Sequence, residues 1–242
     1  MASTRRGLRR WLRILAVTAF LVVGVMVIWQ ASRWPDVAGL ARRTPASTAF
    51  IDAYKTRERS AGHEPRVAWT WVAYGAISPA LKRAVLVAED IGFFSHRGFE
   101  PAELRNAVER AIEDGSMPRG ASTITQQVAK NLWLSASRNP LRKAKEAVLT
   151  WQLERRLTKR RILELYLNVA EFGPGVYGAE AASRRYFGKS AASLSDDEAA
   201  QLAASLPNPR AWHPGATGQA YRRQVETIKR RMAKAAFLAT LL

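Results

Sequence analysis

The chain contains no cysteine. Disulfide frameworks, thiolate zinc sites and cysteine nucleophiles are therefore excluded. Histidine is nearly as scarce: His63, His96 and His213 are the full set, and none stands at metal-pair spacing. That argues against a histidine-built metal site. Acidic residues are few, 20 against 38 Lys and Arg, which gives a formal charge of +18. Internal repeats and low-complexity blocks are also missing. What is present is a chain of 242 residues, 48% apolar, with 8 Trp. This is not a disordered basic tail. The length allows one packed domain with an anchor or tail, but not two large catalytic domains. The charge calls for an anionic partner: nucleic acid, an acidic membrane surface or a phosphorylated substrate.

The N-terminus narrows that choice. Arg5, Arg6, Arg9, Arg10 and Arg13 precede an uncharged run from Ile14 to Trp29. Trp11 and Trp29 bracket the run as aromatic belts do at the two faces of a bilayer. Eighteen steps of helix span about 27 Å, close to a hydrocarbon core. A cleaved signal peptide needs small residues before the cut, and Ile28 and Trp29 fill those places poorly. The expectation is an uncleaved anchor over residues 1–32 with its N-terminus in the cytoplasm and the body outside. The body keeps a charge of +13. Outside the cytoplasm its natural partners are anionic lipids and lipid phosphates, not nucleic acid.

Residues 33–64 carry Pro35, Gly39, Pro45 and Gly62 and read as a connector, with one helix near Ala46 to Arg59. Beyond them helix signals repeat. Ser78-Pro79 and Asn139-Pro140 are caps followed by proline at the first helical position. The second opens a helix with Leu141, Ala144, Val148 and Leu149 at helical spacing. Glu100-Pro101 opens another that runs to Glu113, and Thr158 caps one with Ile162, Leu165 and Tyr166 inward. Ser195 with Glu198 is a capping box whose helix stops at Pro207. Tyr221, Val225, Ile228, Met232 and Ala235 mark a last stripe. Arg66 to Val72 is the best strand. The reading is one mainly α domain over 65–242.

Four segments carry candidate chemistry. Glu89-Asp90 ends a helix before Phe93, Phe94 and His96. Two acids are unfavourable at a helix C-terminus, so they are either a solvated end or a site. Gly120 to Gln127, followed by Lys130, is dense in hydroxyls and amides. It reads as an N-cap at Ser122 or as a sugar or phosphate contact. Arg142 and Glu146 stand four apart, the spacing of an ordinary surface ion pair. Arg161 to Asn168, Glu171 to Gly173 and Gly175 to Gly178 look like core packing and a tight turn, with Glu171 structural.

In this order and spacing the four segments closely resemble the peptidoglycan glycosyltransferase domain. The resemblance covers about residues 65 to 215, including Ala182 to Lys189 and Leu202 to Pro214. Bifunctional penicillin-binding proteins add a serine-acylating domain, but no Ser-x-x-Lys occurs here and no length remains for one. The match is to the monofunctional biosynthetic enzymes. It implies a lysozyme-like, mainly α fold with a larger helical lobe and a smaller membrane-proximal lobe, preceded by one transmembrane helix. It implies polymerisation of lipid II by inverting transfer of the growing lipid-linked glycan. The partners are then lipid II, that glycan, anionic membrane lipids and other cell-wall synthesis proteins, at the bacterial inner membrane. A lysozyme-like peptidoglycan hydrolase is the alternative enzyme. A membrane-bound adaptor and a nucleic-acid binder are the alternatives of other classes.

The resemblance also distributes roles. Glu89 matches the catalytic base, and Asp90 would orient it or hold a cation. Glu146 matches the second glutamate. Lys130 and Arg138 match positions that contact the pyrophosphate, with Arg142 and Lys143 as further contributors. Ser122, Gln126 and Gln127 match the polar set lining the donor side. Mg²⁺ near Glu89 and Glu146 would suit phosphate oxygens and carboxylates. No organic cofactor is implied. His96 reads as a structural hydrogen-bonder, and Trp133, Trp151 and Trp212 as core or interface.

Overall fold

The computed structural model describes residues 34–100, 122–135 and 139–242, with scattered positions between Trp11 and Ser32. It divides into a unit Met1–Asp36 and a unit Val37–Leu242. In the first, described positions such as Leu15, Phe20 and Val25 are helical and exposed. Among the described residues, no helix is long and apolar enough to cross a membrane. Beyond Glu100 the helix expected over 100–113 lies outside the described residues, as does Arg138.

The second unit begins at Val37. Helix α1 (Ala49–Ser60) is capped by Thr48 and buries Ile51 and Tyr54. Those two pack with Tyr177 from the far end of the chain. Tyr54 and Tyr177 meet edge to face with ring centroids 6.2 Å apart. The segment read as a connector is thus tied into the core.

Helix α2 (Pro79–Glu89) begins at the Ser78-Pro79 cap, and Ser78 accepts from the Leu81 N–H. Leu81, Val85 and Leu86 are fully buried on it. Helix α3 (Ile124–Trp133) opens with a capping box of Thr123 and Gln126, not at Ser122. Helix α4 (Pro140–Arg156) follows the Asn139-Pro140 cap. Of the four apolar positions read at helical spacing, Leu149 is buried and the other three are exposed. Leu141 is 78% exposed and Val148 is also exposed, whereas Glu146, Leu149, Thr150 and Leu153 are buried. Positions 146, 149, 150 and 153 form their own helical stripe, and a glutamate and a threonine within it hid it from an apolar count. Trp151 is likewise exposed, not core, with Arg155 over its ring.

Helix α5 (Lys159–Val169) carries Asn168, fully buried, whose amide exchanges two 2.9 Å hydrogen bonds with the Val72 backbone. The sheet is small. Strand β1 (Ala68–Trp69) runs parallel to β3 (Val176–Tyr177), and β2 (Glu171–Gly173) pairs antiparallel on its other side. The turn expected there is this β2–β3 hairpin. Gly178 leaves it at φ +81°, where a Cβ would stand 2.7 Å from the Asn168 carbonyl oxygen, so glycine is required.

Helices α6 (Ala179–Phe187), α7 (Asp196–Ser205) and α8 (Gln219–Lys234) complete the unit. The Ser195–Glu198 capping box opens α7, which ends at Ser205 just short of Pro207. Tyr221, Ile228 and Met232 are the buried stripe of α8. α7 packs on α2 and α8, while α3 packs on α4 and α5. The C-terminus of α2 meets the first turns of α3 through the Asp90–Ile124 and Glu89–Gln127 hydrogen bonds.

Candidate active site

Glu89 is the last residue of α2, and the chain leaves it through Asp90 at φ −165° and ψ 77°, outside the helical region. The turn that follows is clamped to the start of α3. The Gly98 N–H donates to His96 Nδ1 at 3.1 Å, so the ring proton sits on Nε2. Nε2 donates to Asp90 at 2.9 Å. Asp90 Oδ2 also accepts from the Ile124 N–H at 2.9 Å, at the first residue of α3. Thr123 Oγ1 donates to the Gly98 carbonyl at 2.7 Å. A carboxylate at a helix N-terminus is favoured by the helix dipole and its unsatisfied N–H groups.

This clamp sets the register of α3 against Glu89. Four residues after the cap, Gln127 Nε2 donates to Glu89 Oε2 at 2.8 Å. The Tyr166 hydroxyl, buried on α5, donates to Gln127 Oε1 at 3.1 Å. A carboxylate only accepts and this phenol donates, so the amide has one orientation. Burial pushes the Glu89 carboxyl above the usual range and the Asp90 charge adds to this, while the Gln127 hydrogen bond and Lys130 oppose it.

Lys130 lies three residues beyond Gln127. Burial pulls its pKa down, Glu146 and Glu89 favour its charge, and Arg142 and Lys143 disfavour it. Glu146 is not a surface pair member as its spacing suggested. Its side chain is 4% exposed, so its charge must be paired. Arg142 Nη1 meets it at 2.7 Å and Lys143 Nζ takes the other oxygen.

The structure thus brings together Glu89, Gln127, Lys130, Glu146, Arg142 and Lys143. It turns Gln126 away, since its amide oxygen caps the Thr123 N–H at 3.0 Å. Ser122 is exposed, and its carbonyl lies 3.4 Å from Gln127 Nε2. The fit of these acids to a divalent cation is poor. Both Asp90 oxygens and both Glu146 oxygens are already engaged, and Glu89 gives one oxygen to Gln127. Among the described residues no group of three or more acids and histidines converges on one point.

Tyr166, Thr123, Glu171 and Arg210 were not read as site residues. Tyr166 carried a signal, being inward on α5 one helical turn before the break at Ala170. Gln127, Lys130, Asn131, Tyr166, Glu171 and Arg210 line one open cavity of about 340 Å³. Lys130 Nζ also stands over the Phe50 ring, 5.8 Å from its centroid.

A part-buried carboxylate held by an amide relay, beside a paired cationic cluster, suits two tasks at once. It accepts a proton from one reactant and neutralises negative charge on another, as a group-transfer enzyme with an anionic substrate requires. Residues 58–233 match the transglycosylase family, and the chain belongs to it. It is 45% identical over 232 residues to a biosynthetic peptidoglycan transglycosylase of Thiobacillus denitrificans, covering 96% of this chain and 98% of that protein. Proteins of the same name from Azoarcus and Laribacter hongkongensis are 46% and 40% identical. They cover 85% and 94% of this chain, and 87% and 95% of their own lengths.

Proposed function

We propose that this enzyme polymerises lipid II into β-1,4-linked peptidoglycan strands, with Glu89 as the general base. The observation that carries the assignment is the Tyr166–Gln127–Glu89 relay beside Lys130. The 4-hydroxyl of the N-acetylglucosamine of lipid II attacks the anomeric carbon of the growing chain. Its proton passes to Glu89 as the new C–O bond forms. The bond to the lipid pyrophosphate breaks from the opposite side, so the anomeric centre inverts. A carboxylate whose pKa is lifted by burial is a stronger base than an exposed one, and Gln127 keeps it aimed.

The departing pyrophosphate is a stable anion and needs charge neutralisation more than a proton. Lys130 supplies that charge, with Arg142, and Arg138 joins them by resemblance. Glu146 acts on this group rather than on the sugar: its buried carboxylate holds Arg142 and Lys143 in place. Asp90 positions Glu89 through the clamp.

The membrane completes the proposal. Residues 1–32 anchor the enzyme in the inner membrane with the arginines on the cytoplasmic side, and the catalytic unit faces outward. Confinement of enzyme, donor and acceptor to one plane raises their effective concentration. The exposed Leu141, Val148 and Trp151 of α4 belong to the smaller, membrane-facing lobe in this reading. Purified enzyme given labelled lipid II in detergent should yield glycan ladders and release lipid pyrophosphate. Monomer alone, or cleavage of preformed glycan, would refute the polymerase.

A further inference from the structure

Among the described residues, Glu171 is the one acid lining the 340 Å³ cavity, whose wall also holds Gln127 and Tyr166 of the relay. The cavity sits at the lower end of the roughly 300–1,000 Å³ typical of small-molecule sites. The opposing charges in its wall belong to Lys130 and Arg210. Glu171 Oε1 is buried with no hydrogen-bond partner. Buried acceptors are nearly always satisfied, so an unmade one beside a cavity marks where a ligand donor arrives. The pairing of β2 with β3 shifts register between Glu171 and Gly173, and such irregularities re-aim a side chain out of the ladder. Rotation about the terminal carboxylate bond is broad and two-fold, so either oxygen can turn to the cavity.

The wall charges restrict the ligand. Lys130 and Arg210 repel an ammonium group, and Glu171 repels a carboxylate or phosphate at its own end. Neutral donors remain: hydroxyl groups and amide N–H groups. An N-acetylhexosamine carries both. We propose that Glu171 is a specificity-determining residue whose carboxylate accepts hydrogen bonds from the hydroxyl or acetamido N–H of an N-acetylhexosamine unit in this cavity. The inference rests on the glycan-polymerising reading and adds a sugar contact to it.

Burial pushes the Glu171 carboxyl up, while Arg210, Arg57 of α1 and a hydrogen bond from the Gly175 backbone to the carboxylate favour its charged form. The phenols of Tyr54, Tyr177 and Tyr186 are the other titratable groups coupled to it. All three are pushed above their ordinary value of 10.0, so they stay neutral across the acid range.

The test is steady-state polymerisation of lipid II by wild type, Glu171→Gln and Arg210→Gln. Glu171→Gln should raise KM roughly tenfold, the weight of a hydrogen bond to a charged acceptor, and leave kcat within about twofold. Wild-type KM should rise as pH falls through the Glu171 pKa. Arg210→Gln should move that rise to higher pH, because it removes a charge that favours the carboxylate. Glu171→Gln should abolish it. Arg210 is on an exposed loop, so its variant carries the test if Glu171→Gln fails to fold. An unchanged KM in Glu171→Gln, a loss confined to kcat, or an unmoved pH profile in Arg210→Gln would overturn the inference. Those results, with wild type still polymerising, leave the polymerase reading intact. A wild type that makes no glycan sinks both.

Discussion

Replacing Asp90 by asparagine separates a positioning role from a chemical one. The Asp90 side chain is 5% exposed and accepts from His96 Nε2 and from the Ile124 N–H. A hydrogen bond to a charged acceptor contributes about 1.5–3 kcal/mol. Asparagine keeps one accepting oxygen; at the Oδ2 place it holds the Ile124 N–H and the 3.1 Å His96 contact, but the 2.9 Å acceptor of His96 Nε2–H is replaced by an NH₂ group that faces a donor. The lost negative charge at the N-terminus of α3 adds about 0.3–1 kcal/mol. The sum is about 2–4 kcal/mol. In a unit of this length each kcal/mol moves Tm by about 2–4 °C, so Asp90→Asn should melt roughly 5–15 °C lower. The assay is thermal unfolding of the full chain in detergent, followed by circular dichroism. Polymerisation is then measured well below both midpoints. Activity should fall because Gln127 rides on the first turns of α3 and leaves Glu89 when they shift. An Asp90→Asn enzyme that melts like wild type yet makes no glycan would refute the clamp. It would place Asp90 on the reacting atoms instead.

Gln127→Met removes the donor that holds Glu89 towards its charged form. The base works ionised, so the acidic limb of the kcat/KM profile should move to higher pH and the alkaline side should stay. An unmoved limb would contradict the relay. Gly178→Ala forces a positive φ on an L side chain and drives a Cβ against the Asn168 carbonyl, whereas Gly188 has φ +68° with no atom within 4 Å. Gly188→Ala should cost only about 1 kcal/mol, and Gly178→Ala several times that. Denaturant melts of the two variants would check the ordering, and equal costs would contradict it.

Most helix starts were legible because caps are local. Ser78, Thr158 and Ser195 each carry the side-chain hydrogen bond their sequence announces. The start of α3 was off by one residue because Ser122 and Thr123 are both competent caps. What decides between them is the reciprocal bond from Gln126, and that same bond withdraws Gln126 from the site. The inward face of α4 was misread because its buried stripe contains Glu146, which only the pairing with Arg142 and Lys143 makes tolerable inside. Glu89, Lys130 and Glu146 were singled out through resemblance, and the structure sets them close enough to act on one another's charge. Tyr166 and Glu171 were not, since their contacts to Gln127 and to the cavity depend on α5 and the β2–β3 hairpin folding back across α3.

The stability of a Glu89 variant has a predictable sign. The folded pKa lies above the ordinary value of 4.5, so the folded state favours the neutral acid and loses that advantage as pH rises through the folded pKa. Glu89→Gln should therefore melt no lower than wild type at neutral pH. This makes it a clean probe of the central claim. Given labelled lipid II, the folded Glu89→Gln enzyme should polymerise about 10²–10⁴-fold more slowly than wild type, the usual contribution of a general base. A Glu89→Gln enzyme that makes glycan strands at the wild-type rate would contradict the assignment of the base.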